Sequence, residues 1–254
     1  MKYYADMMVS AHDTDYTDAA RPSAILRYMQ EAADWHLRDA GLSGDHLREK
    51  GYAFFLSRVA VKYYRAAKKY EKLRVSTWAC PSTLAAYNRC GEICDARGGL
   101  IAQLMSVWAL VGVADRRIYK PSEVPLEIEI DELLKLPVPL RVNYPRELEL
   151  KAVGERTIVY ADVDINRHMN NTYYPDMLYG YIPACHLEGK RISSCTISYR
   201  TEAALGDTVT VLAATPDNGK NYYFKTQKAD GITALEAQIK LTGMEKIEEP
   251  EPEL

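Results

Sequence analysis

Two stretches of this 254-residue chain run through the same series of features in the same order. Asp13-Thr14-Asp15 precedes a helical pattern in the first half, and Asp162-Val163-Asp164 precedes one in the second. Further along, Tyr64-Arg65 matches Tyr199-Arg200, each ahead of a polar turn and an alternating segment. Gly99-Leu100-Ile101-Ala102 then matches Gly231-Ile232-Thr233-Ala234. Any one match is weak; the shared order is what a duplicated unit requires. The fold must therefore be one plan executed twice.

Each execution reads as a helix followed by antiparallel strands. Pro22 suits an opening helical turn, where its missing N–H is not needed. Ile25, Met29, Ala32, Ala33, His36 and Leu37 recur at helical spacing, and Gly41 supplies a stop. In the second half Asn170-Asn171 offers an N-cap, and Tyr174, Met177, Leu178, Tyr181 and Cys185 mark one face of a second long helix. Pro175 stays within its first turn, whereas Pro183 predicts a kink or an early end. Arg74–Trp78 and Thr208–Leu212 alternate like half-buried strands, and Pro216-Asp217-Asn218-Gly219 is a turn between strands. A helix covering an antiparallel sheet, made twice, is an α+β architecture.

The predicted organisation is an N-terminal unit over 1–120, a linker over 121–150, a C-terminal unit over 151–244 and a frayed acidic tail over 245–254. The linker holds five of the twelve prolines and a predicted short helix at Asp131–Leu136. A net charge of −3 argues against general nucleic-acid binding. The longest apolar stretch, Gly99–Ala114, is too short for a bilayer and rich in strand formers, so no membrane span is expected. The first residues lack an apolar signal segment and an Arg- and Ser-rich leader. The five cysteines are odd in number and without metal-ligand spacing, so reduced thiols in the cytoplasm, no metal and no cofactor are expected.

The dense polar segment is Asp162 to Tyr174. Asp164, Asn166 and His168 alternate with Ile165 and Arg167, and extended backbone would put the three on one face ahead of a helix. The first N–H groups of a helix lack intrahelical partners and can hold negative charge, so the set suits attack on a carbonyl. A calcium loop fails twice: its sixth position is Arg167 rather than Gly, and its twelfth is Tyr173 rather than Glu. A purely structural reading stays open on the residues alone, with Asp and Asn shaping a turn and His168 a satisfied hydrogen bonder.

The run Asp164-x-Asn166-x-His168-x-Asn170-Asn171-x-x-Tyr174 resembles the motif of acyl-ACP thioesterases, and the duplicated layout extends the likeness over nearly the whole chain. That resemblance implies a tandem (double) hot-dog fold, each half an antiparallel sheet wrapped around a long helix. It implies hydrolysis of a fatty acyl thioester on acyl carrier protein, with an acyl-CoA thioesterase, a hot-dog hydratase or a non-catalytic acyl-binding protein as rivals. It also carries a second carboxylate onto Glu202, at the end of Ser198-Tyr199-Arg200-Thr201-Glu202. Many plant members have a cysteine next in line; Ala203 stands there, which excludes a thiol nucleophile at that position.

The candidate catalytic set is thus Asp164, Asn166, His168 and Glu202. By the repeat alignment Thr17 stands opposite Asn166, Ala19 opposite His168 and Ala67 opposite Glu202, so one site per chain is expected. The family resemblance implies that the N-terminal half mainly binds the acyl chain, with the Ile25–Leu37 helix face, Phe54, Phe55 and Trp108 as its candidate lining. Lys68-Lys69 with Lys72 and Arg74, or Arg116-Arg117 with Lys120, are the basic runs expected to meet an acidic carrier protein. A monomer and a homodimer both suit a chain that already pairs two such units.

Overall fold

A computed structural model describes residues 1–244, so the expected tail over 245–254 lies outside the described residues. The chain opens with strand β1 (Tyr3–Met8) and enters helix α1 (Pro22–Asp39), with Pro22 at its first position. Gly41, at φ +71°, ends the helical run as expected; a side chain is strained in that left-handed conformation. A short helix α2 (Gly44–Glu49) is capped by the Ser43 hydroxyl, which accepts from the His46 N–H at 3.2 Å. Strands β2 (Tyr52–Tyr63), β3 (Lys72–Cys80), β4 (Tyr87–Asp95), β5 (Leu100–Gly112) and β6 (Ile118–Tyr119) complete the first half.

The second half contains β7 (Lys151–Thr157), helices α3 (Tyr174–Tyr179) and α4 (Ala184–Leu187), β8 (Lys190–Tyr199), β9 (Thr208–Ala214), β10 (Asn221–Lys228) and β11 (Thr233–Gly243). One antiparallel sheet runs through both halves in the order β1-β3-β4-β5-β2-β8-β11-β10-β9-β7, with β6 on β5. The halves join where Arg58–Lys62 of β2 pairs with Ser194–Ser198 of β8. The predicted turn at Pro216–Gly219 connects β9 to β10, with Asn218 and Gly219 at φ 54° and 80°. The apolar core runs continuously across the junction, from Ile25, Val61 and Ile101 to Leu178, Ile197, Phe224 and Leu235.

The duplication is visible hydrogen bond by hydrogen bond. Asp15 and Asp164 each open a tight turn; Asp15 Oδ1 accepts from the Thr17 N–H and Asp164 Oδ1 from the Asn166 N–H, both at 2.8 Å. Asp18 and Arg167 follow with φ 57° and 62°. Ala19 then bridges to Lys68, and His168 to Ala204. The Ala20 N–H donates to Ala67 O and the Met169 N–H to Ala203 O, both at 2.8 Å. Ala67 is therefore the counterpart of Ala203, and Ala66, not Ala67, stands opposite Glu202. The same one-residue slip puts Tyr63 opposite Tyr199: their successors' N–H groups donate to Ile101 O and Ala234 O. A slip within two diverged copies is invisible until pairing fixes the register.

The first Asp of each pair is structural. Asp13 is buried and accepts from Arg27 at 2.5 Å and from the Tyr28 hydroxyl at 2.8 Å. Asp162, also buried, accepts from Arg156 at 2.5 Å and from the Val159 N–H at 2.9 Å.

Two expectations about the second helix fail. The second helix is not long: α3 has six residues, and Gly180 and Pro183 separate it from the four-residue α4. Pro183 cannot supply the N–H that continuation needs, so Tyr174 and Leu178 are buried while Cys185 is exposed. The wrapping of a sheet around a long helix holds for α1 alone. Asn170-Asn171 does not cap α3 either. The Asn170 side chain accepts from the Thr172 N–H at 2.9 Å, one residue before the Tyr173 N-cap.

The predicted helix at Asp131–Leu136 is absent because the sheet takes its backbone groups. The Asp131 N–H donates to Ala79 O, Glu132 O accepts from the Trp78 indole at 2.8 Å, and Leu134 N approaches Cys90 Sγ. Leu134, Leu136 and Leu140 cover Trp78, Cys80, Cys90 and Met105 on the sheet's outer face. Further along, Thr196 Oγ1 donates to Pro139 O and the Tyr144 hydroxyl to Phe224 O, tying this segment to the second half as well.

Candidate active site

Two loops are laced together at one end of the second half. The turn from Asp164 to His168 is closed by the Asp164 N–H donating to His168 O at 3.1 Å. Arg167 sits in the left-handed region, so this segment is not the extended run expected, and the alternation does not aim its side chains. Beside it, the chain leaving β8 passes through Glu202 and buried Ala203. The Met169 N–H donates to Ala203 O, and the Leu205 N–H to Arg167 O at 3.1 Å. Asp207 fastens the second loop, accepting from the Ala204 N–H at 2.9 Å and pairing with Lys228 at 2.8 Å. The Lys228 hydrogen bond, then the Ala204 N–H, hold the Asp207 carboxyl below the usual aspartate range.

This lacing sets His168 beside Glu202, with Nε2 and Oε2 3.3 Å apart and both side chains partly buried. Asp164 acts on the turn through the Asn166 N–H. Asn166 Oδ1 accepts from Arg48 Nη2 at 3.0 Å, from helix α2 of the other half. A guanidinium only donates, so this contact fixes the amide with its oxygen toward Arg48 and leaves its NH₂ group to donate elsewhere. No side-chain hydrogen bond joins Asp164 or Asn166 to the His168–Glu202 pair among the described residues. All four nevertheless line one cavity of about 760 Å³.

Sequence reading missed Arg48, Asp207 and Lys228. Arg48 lies in an ordinary charged helix with nothing to link it to a residue 118 positions away. Asp207 was detectable as the partner of Glu71, which in the first half likewise accepts from the N–H three residues earlier, that of Lys68.

The expected row of free N–H groups at a helix head is interrupted, because Pro175 in the first turn of α3 has none. The Thr172 and Tyr173 N–H groups donate to Asn170, and α3 is too short to gather much dipole. The Asn171 N–H has no acceptor among the described residues, and Asn171 lines the cavity. Its carbonyl accepts from the Tyr199 hydroxyl at 2.8 Å, and Tyr199 packs edge-on against Tyr174. Pro22 is the counterpart of Asn171 in the first half and has no N–H.

The cavity crosses between halves, from His168 and Glu202 past Arg48, Phe54, Phe55 and Trp108 to α1 and β4. Its α1 wall is Gln30 to Arg38 rather than the whole expected face. Ile25 and Met29 are packed into the core. Pro121, Pro125, Leu126, Ile128 and Ile130 also line it. The basic runs are partly neutralised in place: Lys69 pairs with Asp18, Arg74 with Asp6 and Arg117 with Glu123.

Fold and site together define a tandem hot-dog protein of α+β class, with a carboxylate–imidazole pair at only one of its two equivalent turns. The chain belongs to the acyl-ACP thioesterase family: the N-terminal domain model of that family matches residues 1–129 and the C-terminal domain model residues 146–245. Among solved structures, an acyl-ACP thioesterase from Bacteroides thetaiotaomicron superposes with a TM-score of 0.85 at 21% identity, covering 95% of this chain and 98% of the other. The 12:0-ACP thioesterase from Umbellularia californica gives 0.84 at 18% identity, covering 95% and 97%. The palmitoyl-acyl carrier protein thioesterase of Cuphea hookeriana is 26% identical over 220 residues, 78% of this chain and 51% of that protein. The chain thus spans about half the length of the curated relatives it matches. No helix among the described residues is long and apolar enough to cross a membrane.

Proposed function

We propose that this chain hydrolyses fatty acyl thioesters carried on acyl carrier protein, releasing free fatty acid and the carrier thiol, with Asp164, Asn166, His168 and Glu202 as the working set. The observation that carries the reading is the 3.3 Å His168–Glu202 contact on the wall of a cavity that continues deep into the other half. An acid–base pair at the head of a lipid-sized cavity suits water attack on a carbonyl, and family membership supplies the thioester.

Glu202 takes a proton from water as the water oxygen bonds to the thioester carbon, and His168 orients the pair. The Asn166 amide and the Asn171 N–H are the donors available to the developing oxyanion. Collapse breaks the C–S bond, and the proton passes to the leaving sulfur. In the alternative route Asp164 attacks first and water then opens the anhydride. Single turnover in ¹⁸O-water separates them: label in the Asp164 carboxylate rules out direct water attack.

The carrier is tested by kcat/KM for one acyl group on carrier protein and on coenzyme A; equal values would remove carrier protein from the proposal. A panel of acyl thioesters tests the activity itself, since binding without release of thiol, or hydration without hydrolysis, would overturn it. The proposed compartment is the cytoplasm, supported by five cysteines that are all free thiols.

A further inference from the structure

The cavity does not end in hydrocarbon. Arg89, on β4, is 8% exposed and lines it. Its Nη1 donates to His36 Nδ1 and to Thr77 Oγ1, each at 3.1 Å. Burial, then the Arg89 charge, push His36 down to about 4, so its neutral ring accepts. Burial lowers Arg89 only to about 10, which leaves it cationic at neutral pH. Its Nε and Nη2 have no acceptor among the described residues, and it forms no ion pair there. Of the five N–H donors of a guanidinium, about three are thus left to the cavity. Asp34, on α1, lines the same cavity with its side chain exposed; partial desolvation, then Glu31, raise its carboxyl to about 6.

Strand register gives Arg89 its depth. Ser198 of β8 pairs with Arg58, Arg58 with Val107, and Val107 with Asn88, the neighbour of Arg89. Three inter-strand spacings are about 14 Å, measured from the strand end that leads into Glu202. A fatty acyl chain lying across the sheet from the reaction site therefore brings its far end to Arg89.

We propose that the cavity selects acyl chains bearing a hydroxyl at their far end, the hydroxyl accepting from Arg89 and donating to Asp34. This rests on the thioesterase reading above. A methyl end at that depth strips water from the buried guanidinium and replaces none of its hydrogen bonds. Leaving buried polar groups unpaired is the strongest source of discrimination such a pocket has. A far-end carboxylate would satisfy Arg89 but face Asp34 with like charge.

The test uses the full chain and carrier protein loaded with saturated acyl chains from eight to sixteen carbons, and with their terminally hydroxylated counterparts. The expected result is kcat/KM about tenfold or more in favour of the hydroxylated chain at the length that reaches Arg89, and parity at eight carbons. Arg89→Met should reverse the preference at that length, read as the ratio of kcat/KM for the hydroxylated and saturated chains. Arg89→Lys, which keeps the charge, should retain part of it. Wild-type protein that hydrolyses saturated chains of every length at least as well as hydroxylated ones overturns the proposal, whether or not the variants fold. Absence of turnover on every acyl thioester would instead sink the hydrolase reading.

Discussion

Arg48→Met removes the one side-chain hydrogen bond, among the described residues, by which the first half grips the candidate catalytic turn. The bond to Asn166 is 3.0 Å long and solvent-exposed, and the Arg48 side chain is 36% exposed. An ordinary hydrogen bond contributes about 0.5–1.5 kcal/mol, and exposure places this one in the lower part of that range. At 1.36 kcal/mol per tenfold, the expected loss in kcat is about two- to fivefold, with KM unchanged. Removing the donor itself with Asn166→Ala should cost about two to three orders of magnitude. If Arg48 works only by orienting that amide, Arg48→Met should add nothing in the Asn166→Ala background. Steady-state kinetics on the four proteins of this cycle provide the measurement. Full additivity, or a raised KM with unchanged kcat, would refute the positioning role and make Arg48 a substrate or carrier contact.

His168→Ala and Glu202→Gln should each lower kcat by about two to four orders with unchanged far-UV circular dichroism; near-normal turnover in both would discard the site. Leu178→Ala should destabilise by about 2–5 kcal/mol in urea titration, since Leu178 is fully buried on the short α3. Cys185→Ser, at an exposed position, should alter neither activity nor stability, whereas Cys195→Ser should cost about 1–3 kcal/mol of stability with kcat per folded molecule unchanged. Asp13 supplies a pH dependence. Burial alone would raise its pKa, but hydrogen bonds from Tyr28 and Arg27 outweigh burial and leave it below 3.8. Its stabilisation is therefore present above the unfolded value and lost as pH falls through the lower folded one. The stability difference between wild type and Asp13→Asn should accordingly shrink in acid, and a pH-independent difference would contradict that assignment.

The sequence alone determined the duplication, the course of α1, the strands flanking the turn at Pro216–Gly219, and Asp164, Asn166 and His168 of the candidate site, with Glu202 implied by the family resemblance. These rest on local rules: helical period and a glycine stop, alternation, turn chemistry, and a compact motif. Tertiary structure alone decided the rest. The register between the two copies depended on which backbone groups pair across the sheet. The linker helix lost to hydrogen bonds with Trp78 and Ala79, partners some fifty residues away. The polar set converged not through alternation on an extended strand but through a turn with Arg167 in the left-handed region, laced to the loop that carries Glu202. Arg48 and Arg89 were unreadable for the same reason. A residue's role at a cavity depends on what lies across the space from it, and that distance is set by the packed sheet rather than by its neighbours in the chain.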